Sequence, residues 1–543
     1  MPNKQMSTGT TEASRSRADE VISWLREYAA ARINSNLIDE RRCIPPYVVL
    51  DFGNHGLLGL RVPQHNGGLE LTQADVVRVL EQLGGIDLTL ATFLSSHANG
   101  VHAIQKYGSS ALREQLLSKL ASGREISAFA LTEPSAGSNP RAIQTEAVPD
   151  GRGGWVLNGE KYLVDSGSWA SVITVFARTS DQTGRPSGIS AFAVRQGTPG
   201  LVIGSESLTM GLRGMVQNTM LLRDVRAETE SLLGSPGAGM VIFQDTLSLG
   251  RLNLAAKSIG GMKRCLQLLH RYATRRPVAT GMLWENPVTR SRTVQLVSAV
   301  SVIEALVGHI SRSLDAGEQV PAEAFLACKV AASEYLWKTA NALVQVMGGR
   351  GYVDTNVAPQ ILRDARSFLL SEGPTETLLM YLGARVIHVG NELERFMAVG
   401  LGAPQIAGRL REVTEQVRVR CSNRSLLESI GERDSRHWAS SLVGEIAMWA
   451  ILTAAAENSE LKTHEVAKAW TRLKFEERIR ELADGGAEEW ALSHGGAAEE
   501  LIASYTESIG DVEQSLPAAV TELDLLLRRG QAPSVTQNPR LIL

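Results

Sequence analysis

Between residues 18 and 127, apolar residues recur at spacings of three and four, as in Val76, Val79 and Leu83. This spacing places apolar side chains on one face of an α-helix. Breakers such as Gly67-Gly68 divide the helical stretches from one another. We therefore predict an N-terminal helical domain over residues 18–127.

The pattern changes between residues 128 and 235, where short β-rich runs alternate with glycine and proline. Such runs predict strands. The pair Asn158-Gly159 lies between apolar residues and is typical of a two-residue hairpin turn. We predict a small antiparallel, barrel-like β domain over 128–235. Its β-rich runs are Gly154 to Val164, Val172 to Ala177, Ile189 to Val194, and Met220 to Val225.

Helical periodicity returns after residue 236 and defines a third predicted domain, a helical bundle over residues 236–399. The turn-forming stretch from Gly400 to Pro404 predicts a linker, and residues 400–543 an additional C-terminal helical domain. The predicted fold class is therefore mainly α with a central β domain. The long amphipathic segments of the third domain are 247–270, 290–314 and 322–347.

The length and charge of the chain narrow the classes of function. A chain of 543 residues is too long for one core and suggests several domains. The formal net charge of −3 gives no global basic field, so we expect no nucleic-acid partner.

The sequence shows no uninterrupted apolar run near the roughly 20 residues that span a bilayer. The first 17 residues are polar, and we interpret them as a tail rather than a targeting signal.

The spacing of the cysteines and histidines argues against a disulfide framework or a zinc site. The four cysteines are far apart and form no CxxC pair, and the ten histidines form no HExxH pattern. We therefore expect no structural metal, a reducing compartment and a cytoplasmic location.

The segment from Gln345 to Pro374 carries the most suggestive chemistry. It begins with Gln345, Gly348 and Gly349, and its carboxylate Glu372 stands directly before a Gly-Pro step. Glycines let a backbone approach a large ligand such as a dinucleotide. A carboxylate at a helix-breaking step is held at a bend, where it can face a cavity. Taken alone, the pattern also fits two helices joined by a turn with a solvated Glu.

A second segment, FALTEPSAGSN from Phe129 to Asn139, lies more than 200 residues upstream. The two segments together resemble the signatures of the acyl-CoA dehydrogenase family, although that family usually has Asp where Asn139 stands. The resemblance covers residues 18 to about 400 and implies the family's helical, β and helical-bundle domains. The added C-terminal helices resemble the very-long-chain branch, in which the extra domain helps to form the dimer and touches membranes.

The resemblance implies an FAD cofactor, with Glu372 as the catalytic base. It places Arg251 close to that base, and it makes Arg276 a ligand of the FAD pyrophosphate in a partner subunit. A guanidinium suits a diphosphate because it donates two parallel hydrogen bonds. The residues that the resemblance implies for FAD binding are Phe129, Leu131, Thr132, Ser138, Leu163, Asp165, Arg276, Gln345, Gly348 and Gly349.

Two of these positions depart from the family pattern. Leu163 stands where the family commonly has a Trp beside the flavin, and Asp165 stands where it has a Thr bonded to the flavin N5. An ionised Asp cannot donate a hydrogen bond. Either Asp165 is protonated, or Ser166 substitutes for it, or the contact is lost. The family's aromatic neighbour after Arg276 is also missing.

The function implied is dehydrogenation of an acyl thioester to a 2,3-enoyl product, with acyl-CoA or acyl-carrier-protein as substrate. An electron-transferring flavoprotein is the expected acceptor, and a homodimer with peripheral membrane contact is the expected assembly. Two alternatives stay open: a flavin-dependent monooxygenase on the same fold, and a non-catalytic assembly protein. Glu372 argues against the first, and a flavin bleached by substrate would exclude the second.

Overall fold

The computed structural model describes residues 8–181, 183–388, 390–423, 428–457, 464–483 and 487–512. The N-terminal segment is helical, with α1 (Thr8–Arg32), α2 (Ser35–Arg41), α3 (Pro46–Asn54), α4 (Gln73–Ile86), α5 (Leu88–Tyr107) and α6 (Ser110–Ala121). Helices α4, α5 and α6 each begin after a side chain that accepts a main-chain N–H: Thr72 caps α4, Asp87 caps α5 and Ser109 caps α6.

The next segment forms a sheet with the strand order β6-β7-β3-β2-β4-β5-β8, in which β1 also pairs with β4. The sheet is mixed, because β4 pairs in parallel with both β1 and β2 while the other pairs are antiparallel. The strands are β1 (Ile126–Ala130), β2 (Glu146–Pro149), β3 (Trp155–Asp165), β4 (Ala170–Ser180), β5 (Pro186–Arg195), β6 (Leu201–Glu206), β7 (Gln217–Ala227) and β8 (Leu232–Leu233).

The predicted hairpin turn at Asn158-Gly159 is wrong, because both residues lie inside β3. Asn158 exchanges hydrogen bonds with Asp224 of β7, and the pairing register shifts next to Gly159. A Cβ at Gly159 would lie 2.4 Å from the Thr145 side chain. The glycine therefore serves close packing at a strand irregularity rather than a turn.

Helices then return as predicted. The helix predicted over 322–347 is α9 with the same bounds, whereas the helix predicted over 247–270 extends to 35 residues as α7. These helices are α7 (Gly239–Ala273), α8 (Pro287–Asp315), α9 (Ala322–Met347), α10 (Val357–Leu370), α11 (Thr375–His388), α12 (Glu392–Arg395), α13 (Pro404–Cys421), α14 (Glu432–Glu457), α15 (His464–Ala483), α16 (Ala487–Leu492) and α17 (Gly495–Ile509). Strands β9 (Pro277–Val278) and β10 (Gly281–Met282) form a hairpin after α7.

The main hydrophobic core continues across the predicted linker at 400–404. Leu378 and Leu382 of α11 share this core with Ile446 of α14. Gly383 and Gly444 let α11 and α14 approach closely, because a Cβ at either would lie within 1.9 Å of the other helix's backbone. The predicted domain boundaries stay predictions, but the helices after 404 pack onto those before it.

Within the part of the chain that the structure describes, two helices, α8 and α14, are long and apolar enough to cross a membrane by length and composition. The most apolar stretch of each lies mostly inside the protein, 61% buried in α8 and 83% in α14. Such burial is typical of core helices in a water-soluble fold.

Candidate active site

Glu372 lies in the short turn between α10 and α11. Its φ of 58° is in the left-handed region, which a non-glycine residue adopts at a cost of about 1–3 kcal/mol. Gly373 follows with a φ of 108°, and Pro374 precedes α11. The Gly-Pro step thus ends one helix sharply and holds the glutamate at the bend, as the sequence predicted.

Two positive side chains hold the main chain of this turn. The Nε and Nη2 atoms of Arg251, on α7, both lie 3.4 Å from the carbonyl oxygen of Glu372. The Nζ of Lys329, on α9, donates to the carbonyl oxygens of Gly373 at 2.6 Å and Leu369 at 3.4 Å. These contacts satisfy carbonyls that a helix end leaves without partners. In these contacts, both cations bind main-chain carbonyl oxygens and not the carboxylate of Glu372.

The carboxylate of Glu372 points at the surface of α7. A Cβ added at Gly250 would lie 2.9 Å from Oε1 and 3.2 Å from the amide nitrogen of Asn99. The Oε2 atom is buried and has no hydrogen-bond partner within the described part of the chain. Burial raises the pKa of Glu372, while Lys257, Arg251 and Lys329 act in the opposite direction. A carboxylate in this state can accept a proton from a ligand.

Sequence reasoning missed two buried lysines near Glu372, Lys257 and Lys329. Burial lowers the pKa of each to about 8, and Glu372 acts against this shift in both. Each stands alone in an otherwise apolar or small-residue run, LNLAAKSIGG and AFLACKVAAS. A lone lysine on the buried face of a helix is the signal that could have found them, because buried lysines need a partner.

The predicted flavin-edge residues Phe129, Leu131 and Thr132 lie at the end of β1 and just beyond it. The Phe129 ring packs at 4.9 Å from Phe176, and the carbonyl of Thr132 accepts from the N–H of Tyr162 at 2.8 Å. Ser138, in contrast, lies exposed in the following loop. The structure thus bonds Thr132 to β3, packs Phe129 against β4 and leaves Ser138 exposed.

A buried ion pair supports this edge from within. The Nζ of Lys161 donates to Oε1 of Glu133 at 2.7 Å and to the carbonyl of Leu131 at 3.2 Å. Glu133 also accepts from Thr145 and from the N–H of Gln144. The pair joins β3 to the segment that contains Thr132, so it fixes their relative position. The sequence by itself predicts no role for either member of the pair.

Leu163 and Asp165 lie near the end of β3 with different surroundings. Leu163 has a φ of 52° and is 43% exposed. Asp165 accepts hydrogen bonds from the Ser96 hydroxyl at 2.7 Å and from the Gln217 amide at 2.6 Å. Both carboxylate oxygens therefore already have donors from the chain itself. The predicted contacts of these two residues with the flavin stay predictions.

A second group of predicted FAD ligands lies at the C-terminal ends of α7 and α9, away from Glu372. Gln345, Gly348 and Gly349 are exposed where α9 ends, and Arg276 is exposed just after α7. Tyr272 joins the two ends by donating to the carbonyl of Met347 at 3.3 Å. Tyr272 lies 21 positions after Arg251 on α7, a separation of about 30 Å along the helix axis. One chain therefore does not bring this group to Glu372.

The residues at the edge of the sheet, Phe129, Leu131, Thr132 and Leu163, fit a flavin. Leu163 and Tyr162, 43% and 38% exposed, give an uncovered apolar surface beside Thr132. A planar ring system can cover such a surface. In the second group, Gly348 has φ 58° and ψ −139°, a conformation that only glycine adopts readily, and a Cβ there would meet no atom within 4 Å. That open backbone suits close approach of a nucleotide.

Three domain families match the chain in sequence order. The acyl-CoA dehydrogenase N-terminal domain matches residues 15–124, the middle domain matches 128–225, and the C-terminal domain matches 237–387. The third match contains Arg251, Gln345 and Glu372, so the candidate base lies within recognised family sequence.

Similar proteins come from several organisms. The chain is 32% identical over 356 residues to the mitochondrial very long-chain specific acyl-CoA dehydrogenase of Macaca fascicularis, covering 64% of this chain and 53% of that protein. It is 31% identical to the cyclohex-1-ene-1-carbonyl-CoA dehydrogenase of Geobacter metallireducens, covering 64% and 92%. The match thus spans about half the length of the very-long-chain relative, but nearly all of the second.

The fold is also shared with solved structures. A glutaryl-CoA dehydrogenase of Mycobacterium smegmatis, in complex with FADH2, aligns with a TM-score of 0.63 at 25% identity, covering 68% of this chain and 94% of that one. Sequence and fold agree with the resemblance drawn from the two signatures. The chain belongs to the acyl-CoA dehydrogenase family of FAD-dependent oxidoreductases.

Proposed function

We propose that this protein is an FAD-dependent acyl-thioester dehydrogenase that forms a 2,3-enoyl product. The observation that carries the proposal is the carboxylate of Glu372, whose buried Oε2 has no partner among the described residues. Its pKa is raised by burial, so it holds a proton better than a solvated glutamate does. These are the properties of a base for the proton next to a thioester carbonyl.

The chain supplies the proton acceptor and its fixed position. Glu372 takes the α proton, and its main-chain N–H donates to the thioester carbonyl oxygen, where negative charge develops. Arg251 and Lys329 keep the turn in place through their bonds to its carbonyls. When bound, FAD supplies the acceptor for the hydride of the β carbon.

FAD would lie against Phe129, Leu131, Thr132 and Leu163 at the edge of the sheet. The second group of residues, about 30 Å away along α7, would then contact the FAD of another protomer. This separation supports the proposal of a homodimer in which each FAD is held from both sides. It also supports the role of Arg276 at a pyrophosphate, since its side chain is exposed.

The substrate and the assembly are extensions of the same proposal. We propose acyl-CoA or acyl-carrier-protein thioesters as substrates in fatty acid metabolism, and an electron-transferring flavoprotein as acceptor. A cytoplasmic location is supported by the cysteines, none of which forms a disulfide within the described residues. Membrane contact through the C-terminal helices is supported by the exposed apolar side chains of α17, Leu501, Ile502, Tyr505 and Ile509.

The test is anaerobic bleaching of the bound flavin by a panel of acyl-CoA and acyl-carrier-protein thioesters. We expect at least one thioester to reduce the flavin, and Glu372→Gln to slow that reduction by about 10²–10⁴-fold while FAD stays bound. A variant that reduces its flavin at the wild-type rate would exclude Glu372 as the base. A flavin that no thioester bleaches would contradict the proposed function.

A flavin-dependent monooxygenase is the second candidate, and Asp165 is the observation that favours it. Its carboxylate oxygens accept from Ser96 and Gln217, so an ionised Asp165 offers no donor of the family kind to the flavin. Oxygen uptake with a hydroxylated product, measured on the same panel in air, would support this candidate. Formation of the enoyl product without oxygen would exclude it.

A further inference from the structure

Lys257 is a buried cation to which the proposed reaction gives no role. It lies on α7 and is only 4% exposed. Its Nζ donates to the hydroxyl of Ser95, on α5, at 2.7 Å, and lies 5.1 Å from the centre of the Phe368 ring. An ammonium group so far from water is costly unless a negative charge compensates it.

Lys257 and the Glu372 carboxylate both contact the region where α5 packs against α7. Gly250 precedes Lys257 by seven residues, two turns of α7, so both lie on the same face of that helix. Gly250 faces the Glu372 carboxylate and the Asn99 amide. On α5, Ser95 precedes Asn99 by one turn, so Lys257 and the carboxylate occupy adjacent positions along the same contact between α5 and α7.

The end of α10 closes this space from a third side. Phe368, whose ring lies under the Lys257 ammonium, precedes Glu372 by four residues. The base and the lysine therefore share one enclosure, bounded by α5, α7 and the end of α10. Burial there raises the pKa of the Glu372 carboxyl, and the positive charge of Lys257 opposes this shift.

The other cations near Glu372 are engaged differently. Arg251 donates to the main-chain carbonyl of Glu372 and Lys329 to that of Gly373, so both bind the turn. Lys257 donates to the neutral hydroxyl of Ser95, so this hydrogen bond leaves its positive charge uncompensated. The remaining negative group, Asp165, already accepts from two side chains.

We propose that Lys257 is the counter-ion of Glu372, a positioning residue that keeps the base ionised and directed into the enclosure between α5 and α7. Its role as a partner of the base rests on the proposed function, but its electrostatic interaction with the carboxylate does not. The charged groups that face Glu372 are Lys257 and Arg251 from α7, Lys329 from α9 and Asp165 from β3, while α5 contributes the neutral Ser95 and Asn99.

The ammonium is charged under the conditions in which the base works. Burial lowers the pKa of Lys257 to about 8, while Glu372 and Asp165 act to raise it. Lys257 therefore carries its charge at neutral pH and loses it as pH rises through about 8. Without the Lys257 side chain, two cations instead of three oppose the effect of burial on the pKa of Glu372. The carboxyl should therefore ionise at a higher pH.

The first test is the pH profile of anaerobic flavin reduction in Lys257→Met. We expect the acid limb, which reports ionisation of Glu372, to move upward by about one pH unit, and Lys257→Arg to move it back. Lys263→Met is the matched control, because Lys263 lies six residues further on α7 and pairs with Glu81 and Glu304 instead. A slower reduction with the limb unmoved would mean a purely structural role and would overturn the proposal.

The second test needs no substrate and so separates this proposal from the proposed function. Urea unfolding at a fixed FAD concentration is measured for Lys257→Met, Glu372→Gln and the double variant. We expect the effect of Lys257→Met on the free energy of unfolding to be less favourable to the fold at neutral pH than below pH 4.5, the ordinary value of the carboxyl. When Glu372 is Gln, the effect should be independent of pH in this range. Equal effects of Lys257→Met in both backgrounds would show that the two charges are not paired.

Discussion

The guanidinium of Arg251 contacts the main-chain carbonyl of Glu372, with Nε and Nη2 each 3.4 Å from that oxygen. An arginine so close to the proposed base would be expected to pair with the carboxylate itself, which would lower its pKa and occupy its oxygens. By binding the carbonyl, Arg251 fixes the left-handed turn and leaves the carboxylate available. The same residue thus supports the conformation of the base without blocking it.

Glu372→Gln should stabilise the fold at neutral pH. Burial raises the pKa of Glu372 in the folded protein above its ordinary value of 4.5, so the folded state binds the proton more tightly than the unfolded state does. Stability therefore falls as pH rises from about 4.5 through the folded value, and the glutamine variant escapes this loss. Urea unfolding from neutral pH downward should show the advantage of the variant shrinking towards pH 4.5. An advantage that stays constant with pH would contradict this cause.

Gly250→Ala should slow flavin reduction while leaving FAD bound. The new methyl group would lie 2.9 Å from Oε1 of Glu372, closer than normal contact, so the carboxylate must move. A displacement of about 1 Å at a reacting group can cost about 10²-fold in rate. Gly408→Ala in α13 is the control, because a Cβ there meets no atom within 4 Å. Equal reduction rates in the Gly250 variant and the wild type would show that the carboxylate does not need this space.

Lys161→Met should destabilise the protein by about 3–5 kcal/mol, because it leaves Glu133 as a buried charge without its partner. The Lys161 side chain is 0% exposed and the Glu133 side chain 3% exposed. Lys474→Met removes an exposed pair with Glu477 and should cost less than about 1 kcal/mol. Chemical unfolding at a fixed FAD concentration compares the two variants. Similar small losses would mean that the buried pair contributes little to stability.

Arg276→Ala should weaken FAD retention and loosen the assembly. The exposed arginine lies with Gln345 and Gly348 at the end of the molecule distant from Glu372, where a partner's cofactor would be reached. Loss of a charge-assisted hydrogen bond costs about 1.5–3 kcal/mol. Flavin content after dilution and oligomer mass by gel filtration give the measurement. Arg350→Ala, which changes another exposed arginine near the end of α9, tests whether any nearby positive charge suffices. Undiminished flavin occupancy in the Arg276 variant would remove the residue from the FAD site.

The sequence by itself determined the elements with a strong local pattern. Helix α9 has the predicted bounds, and the turn at Glu372 follows from the Gly-Pro step, because periodicity and turn residues act over a few neighbours. The same locality explains the error at Asn158-Gly159. The pair has the composition of a hairpin turn, but its packing against Asp224 and Thr145 places it within a strand.

Only the tertiary structure decided what surrounds the base. Arg251 and Lys257 come from a helix more than 100 residues before Glu372, and Ser95 comes from still earlier in the chain. In the sequence, Lys257 is one polar residue in an apolar run; in the fold, the same position is shielded from water and lies along the helix contact that also borders the Glu372 carboxylate. Local spacing cannot specify such a partnership, because long-range packing determines both the low-dielectric surroundings and the charge that compensates the lysine.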